Sequence, residues 1–156
     1  MEILLAKPVL IGIHLGLAIL GIDAFLWLAG EYAAGAMAVR RRVIVAVLGV
    51  IGFAGSWIVG GYYYVKFYGP LVKPVIKEGL APWAHAIAME AKEHIFLLIV
   101  PVAITVFLAT RATEFNLRKP AMCLAVLLAV MGLAIGAMGF IISAAYRFGV
   151  ISVVAS

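Results

Sequence analysis

The sequence predicts an all-α integral membrane protein, a bundle of four transmembrane helices. Three observations predict it. Of 156 residues, 67% are hydrophobic, against roughly 45–50% in soluble domains. Only 12% are charged, about half the usual quarter. Those charges cluster, leaving four long apolar stretches near the ~20 residues that a spanning helix needs. Four spans with short connections use up nearly the whole chain as one membrane domain, 1–156. No length remains for a soluble catalytic domain, a nucleotide-binding βαβ unit or a barrel, so any chemistry belongs inside the bundle or at its rims.

The first span, about 8–30, runs from Pro8 to Gly30, interrupted by His14 and Asp23, and ends before Glu31. Leu28-Ala29-Gly30 has the small residues of a cleavage site. The run nevertheless exceeds the 7–15 apolar residues of a signal peptide, holds a carboxylate and follows a single Lys, so it reads as a retained helix. The second span, about 43–65, follows Arg40, Arg41 and Arg42 and goes from Val43 to Val65. The third is short as an apolar run, Ile95 to Ala109, but a helix can begin at Pro82, a residue favoured in the first helical turn. It then spans about 88–111 and stands above the membrane at its start. The fourth, about 120–146, runs from Pro120 to Tyr146 with Arg147 at the far interface, and holds the lone Cys123 as a small apolar residue. Between the second and third spans, Gly69-Pro70, Lys73-Pro74 and Gly79 punctuate any helix, which predicts a surface or re-entrant loop over 66–81.

The net charge of +5 orients helices here and does not point to nucleic acid. One cysteine excludes an internal disulfide, a four-cysteine metal site and a C-x-x-C-H haem attachment. Arg40, Arg41, Arg42, Arg111, Arg118 and Lys119 lie on one side, with only Glu31 and Glu114; Lys7, Lys66, Lys73, Lys77, Lys92 and Arg147 lie on the other. The first set crowds two short loops, which places it in the cytoplasm and both termini outside a prokaryotic inner membrane.

All three histidines then fall towards the outer end. His14 and His94 have depths that agree to within roughly 5 Å at 1.5 Å per residue, so two imidazoles from different helices are expected to face each other, the ligand pair of a b-type haem. Hydrogen bonding within the bundle is the plainer use of each. His85 is nine residues from His94 and points the other way; beside Trp83 it reads as a solvated rim residue, or as part of a second surface site. Gly12 and Gly16 flank His14, and Ala129, Gly132, Gly136, Gly139 and Ser143 form a small-residue stripe on the fourth span. Such stripes admit a macrocycle or let helices pack closely. Arg147, Lys66 and the tyrosines Tyr62, Tyr63, Tyr64 and Tyr146 are available to propionates, or make an interfacial belt.

Asp23 is the deep charge, costing about 2.5–3.5 kcal/mol if left bare. Nine residues from His14, it stands on the opposite face, suited to a proton, a quinone hydroxyl or a partner subunit. Glu90, one turn before His94, either completes a two-histidine, one-carboxylate iron or zinc site or orients the His94 imidazole. The default for Glu90, Lys92 and Glu93 is a solvated face.

Together, the span count, His14 between Gly12 and Gly16, and His94 preceded by Met-Glu-Ala-Lys-Glu resemble the small four-helix membrane b-type cytochromes that serve as quinone-linked respiratory subunits. No histidine lies near the cytoplasmic end for a second haem. The resemblance implies one haem b near the outer face, and electron transfer between quinone and a partner protein in a hetero-oligomer. A cofactor-free structural or assembly subunit is the competing reading. In either case Lys66, Lys73 and Lys77, opposed only by Glu78, make the 66–81 segment a docking surface for an acidic partner or for lipid headgroups.

Overall fold

The structure is a computed structural model that describes residues 5–35, 38–112 and 117–154; Glu114, counted above among the loop charges, lies outside them. Four helices among the described residues are long and apolar enough to cross a membrane, and no strand is present there. The expected four-span, all-α bundle is what the chain forms.

Helix α1 (Lys7–Ala33) opens with Pro8 in its first turn, where a missing N–H removes no helical bond. Gly35 turns the chain after it with φ 73°, a left-handed conformation that glycine adopts without cost. Helix α2 (Val39–Tyr63) does not stop near Val65. It continues through a π-helical segment, Tyr64–Val72, into α3 (Lys73–Glu78), one rod of 40 residues. The expected loop over 66–81 is therefore helical up to Glu78. Pro70 lacks an N–H and would crowd the carbonyl one turn back in an α-ladder, and the wider π turn accommodates it. Pro74 then occupies the first turn of α3, and Gly79 ends the rod with extended backbone. A second π-helical segment, Ala84–Met89, leads into α4 (Glu90–Arg111), so the helix does begin just after Pro82. Helix α5 (Arg118–Val154) outruns its expected end at Tyr146.

The spanning helices close in a ring, α1 against α2 and α5, and α4 against α2 and α5. Glycine sets the tightest seam. A Cβ on Gly52 would stand 2.5 Å from Gly21 N and 2.8 Å from the Leu17 carbonyl, so α1 and α2 meet backbone to backbone. Phe25 lies over Gly49 and Phe53 over Gly21, and the two rings stack at 5.5 Å. The α5 stripe contributes Ala129 and Gly132 to the interior, while Gly136 and Ser143 are exposed. Fourteen residues fall about 40° short of four full turns, so the stripe drifts outward along the helix.

Arg40, Arg41, Arg42, Arg111 and Arg118 gather at what we term the arginine end; Tyr62, Tyr63, Tyr64 and Tyr146 mark the tyrosine end. Buried Glu31 accepts hydrogen bonds from Arg41 Nη2 (2.7 Å) and Trp27 Nε1 (2.9 Å), and Arg118 donates through Nε and Nη2 to the Tyr32 carbonyl (3.2 and 2.7 Å). Two separate apolar cores fill the bundle. The larger, with Phe25, Leu28, Ala46, Phe53, Val106 and Leu128, occupies the arginine end. The smaller joins Tyr68, Val72 and Ile76 to Ala84, Ala88 and Ile142 at the tyrosine end.

Candidate functional site

Between the two cores lies a layer of polar side chains. His14 points inward from α1, its Nδ1 2.9 Å from both the carbonyl and the Oγ of Ser56, which is 1% exposed. Ser56 Oγ uses its own hydrogen towards the His14 carbonyl, at 3.1 Å. The network therefore assigns the imidazole proton to Nδ1, donating to Ser56, and leaves Nε2 with a free lone pair. Gly60 makes the room: a Cβ there would stand 2.8 Å from His14 Cε1 and Nδ1. Phe96 of α4 closes the other side, edge-on with ring centroids 6.2 Å apart.

Lys92 reaches into the same layer from α4. It lies within electrostatic reach of His14, and its Nζ is 3.5 Å from where a Cβ on Gly139 would be. Arg41–Glu31 is the ion pair among the described residues, so the Lys92 ammonium has none. Next to it, Glu93 Oε1 is buried without a hydrogen-bond partner among the described residues, while the Tyr64 hydroxyl and the Lys92 ammonium both lie within electrostatic reach of the Glu93 carboxylate. Further out, Tyr64 stacks on Tyr68 at 5.2 Å, and the Tyr68 hydroxyl is hydrogen-bonded to His85 Nδ1 at 3.0 Å. That bond ties the two π-helical segments together. Imidazole, ammonium, carboxylate and phenol from α1, α4 and the π-helical segment Tyr64–Val72 thus follow one another from mid-bundle to the tyrosine end, an arrangement suited to passing protons.

Several expected site residues stand elsewhere. His94 is exposed, and its Nδ1–H donates to the Glu90 carbonyl of its own helix at 2.6 Å. Its depth matches that of His14, because Phe96, two residues on, is the α4 side chain that meets the His14 ring. Two residues are about 200° of helix, however, so His94 faces away. The expected facing pair is not formed, and these residues do not fit a haem held by two histidines of one chain. Glu90 is exposed too, its backbone rather than its carboxylate orients His94, and the site of His14, His94 and Glu90 does not assemble. Among the described residues, no group of three or more His, Cys, Asp or Glu is placed to hold a metal.

His85, expected at a solvated rim, is 6% exposed, because the paired π-helical segments enclose it. Gly12, Gly16 and Gly136 are exposed with open space around them, whereas Gly139 faces the polar layer. Arg147 lies on the exposed side of α5 beside Phe148 and Ser143, away from His14. Asp23 is exposed in a groove between α1 and α2. Cys123 faces outward instead of packing inside. Lys92 and Glu93, expected on a solvated face, belong to the layer instead, and Ser56 and Tyr68 had no part in a site on sequence grounds. Lys92 carried a signal, a lysine just before an uninterrupted apolar run, but its polar neighbours made it read as solvated. Comparison with family models, with curated proteins and with solved structures finds no match to this chain.

Proposed function

We propose that this chain is a membrane subunit of an electron-transfer complex, in which the polar layer exchanges protons between the outer aqueous side and a quinone-linked redox centre. One observation carries the reading: proton-bearing groups of α1, α4 and the π-helical segment Tyr64–Val72 converge between two apolar cores, with His14 Nε2 and Glu93 Oε1 without a hydrogen-bond partner and the Lys92 ammonium outside any ion pair among the described residues. Intramembrane groups of this kind mark proton and substrate pathways. The arginine end lies in the cytoplasm of a prokaryotic inner membrane and both termini lie outside, following the crowding of Arg40–Arg42 and Arg118 in short loops.

In this reading a haem b belongs at a subunit boundary. The outward His94 would hold it together with a residue of a partner subunit; when bound, the group would supply one-electron chemistry, and this chain would supply that histidine and the proton-exchanging layer. The test uses the protein purified with its associated subunits. A reduced-minus-oxidised visible spectrum should show a b-type band that His94→Ala removes, while His14→Leu and Lys92→Met keep the band and slow its reduction by quinol at least ~100-fold, the low end for losing a proton-transfer group. Absence of any redox chromophore overturns the proposal. The cofactor-free assembly subunit then takes its place, a reading favoured by the open glycines of α1 and by Asp23 facing outward.

A further inference from the structure

Asp23 presents a problem that this chain alone does not solve. It sits ten residues before the end of α1 at Ala33, so roughly 15 Å inside the arginine end. Its side chain is exposed on the outer surface of the bundle and makes no hydrogen bond or ion pair among the described residues. Hydrocarbon offers a carboxylate nothing. It opens into a groove of about 590 Å³ between α1 and α2, lined by Leu20, Trp27, Ile44 and Leu48, with Arg40 at the rim.

We infer that this groove seats a transmembrane helix of a partner subunit that carries a Lys or Arg at the depth of Asp23. Three features choose the occupant. An acyl chain brings no donor to the carboxylate, although an anionic headgroup would suit Arg40. A second copy packed about a two-fold axis along the membrane normal keeps every residue at its own depth, and no Lys or Arg of this chain lies at the depth of Asp23 to meet it. A helix with a basic residue at mid-span and an acidic one at the arginine end matches both Asp23 and Arg40. Asp23 also stands on an exposed seam of α1, Gly12, Gly16, Ile19, Asp23, Leu26 and Gly30, whose alternating steps of four and three let a neighbouring helix run along it closely. The inference rests on the reading of the chain as a subunit, and not on the chemistry of the polar layer.

The test uses the full chain in phosphatidylcholine liposomes with an acceptor dye on the exposed Cys123 and donor-labelled poly-leucine transmembrane peptides. One peptide carries a single mid-span Lys, one a single Glu, and one neither. Energy transfer should show the Lys peptide binding at least ~10-fold more tightly than the plain one, the middle of what a polar contact between model membrane helices gives. Asp23→Leu and Asp23→Asn should both remove that preference, and Asp23→Lys should pass it to the Glu peptide; the Asn variant keeps the test valid if the Leu variant fails to fold. Equal binding of all three peptides, or a Lys preference that survives Asp23→Asn, overturns the inference. These variants leave His14 and Lys92 untouched, so quinol-linked reduction in the assembled complex reports separately on the proposed function.

Discussion

Replacing Gly52 by alanine tests whether the α1–α2 seam holds the bundle together. The added Cβ would stand 2.5 Å from Gly21 N, 2.8 Å from Gly21 Cα and 2.8 Å from the Leu17 carbonyl. Ordinary contact begins at 3.4 Å, so the helices must part locally by about 0.9 Å, the difference between 3.4 and 2.5. All three obstacles are backbone, so no rotamer change relieves them. Parting also loosens Phe53 over Gly21 and Phe25 over Gly49 in the largest apolar core. Overpacking of this kind costs about 1–3 kcal/mol; at the middle of that range, the unfolding constant rises about 30-fold. The assay is equilibrium unfolding by sodium dodecyl sulfate in mixed micelles, followed by circular dichroism. Gly16→Ala and Gly136→Ala are the controls, since open space surrounds both positions, and both should stay within about 0.5 kcal/mol of the parent. A Gly52→Ala protein as stable as these controls would refute the close-packed seam.

Gly60→Ala should leave helix content unchanged while displacing the His14 ring, whose Cε1 and Nδ1 lie 2.8 Å from the new methyl; a shift of the ¹⁵N resonance of His14 Nδ1 would reveal it. Ser56→Ala removes one partner of His14 Nδ1 and the donor to the His14 carbonyl, and should cost about 0.6 kcal/mol and at most about 1.7, the range for interhelical hydrogen bonds in membranes, in the same unfolding assay. Tyr68→Phe deletes the bond to His85 and should cost about 1–3 kcal/mol, because it leaves a buried imidazole nitrogen unpaired; limited proteolysis near Gly79 should quicken accordingly. Changing Lys73 and Lys77 to Glu should weaken, in a salt-dependent way, the retention of an acidic partner on a column bearing this protein, and unchanged retention would leave lipid contact as the role of these lysines.

The four spans were legible because hydropathy and the placement of charge act residue by residue, whatever the neighbours do. The stretch from Lys66 to Ala81 was misread because Gly69-Pro70 breaks an α-ladder locally, whereas a π-helical turn, closed by packing of Tyr68 and Val72 against Ile142 and Ala145, lets the rod continue. Depth along a helix follows from counting residues, and the match between His14 and His94 was correct on that scale. Direction does not follow, because the rotation of α4 about its axis is set by which of its side chains the other helices accept. Phe96 fits beside His14 and sends His94 outward. The same rotation carries Lys92 inward, against the pull of its charge towards water, and no pattern in a single sequence records the space that Gly139 leaves for it.

The rod from Val39 to Glu78 has a consequence for how a soluble protein would meet this one. Its 40 residues make about 60 Å at 1.5 Å per residue, twice the roughly 30 Å of hydrocarbon. With Arg40 held at one edge of the hydrocarbon, the tip bearing Lys73 and Lys77 rises on the order of 20 Å above the opposite edge, and the headgroup layer takes up roughly the first third of that height. The tip then stands on the order of 10 Å beyond the headgroups, a little over one Debye length at physiological salt, where the charge of the membrane is weakened. An acidic protein docking on Lys73 and Lys77 would therefore meet less repulsion from anionic lipids than one docking among the headgroups themselves.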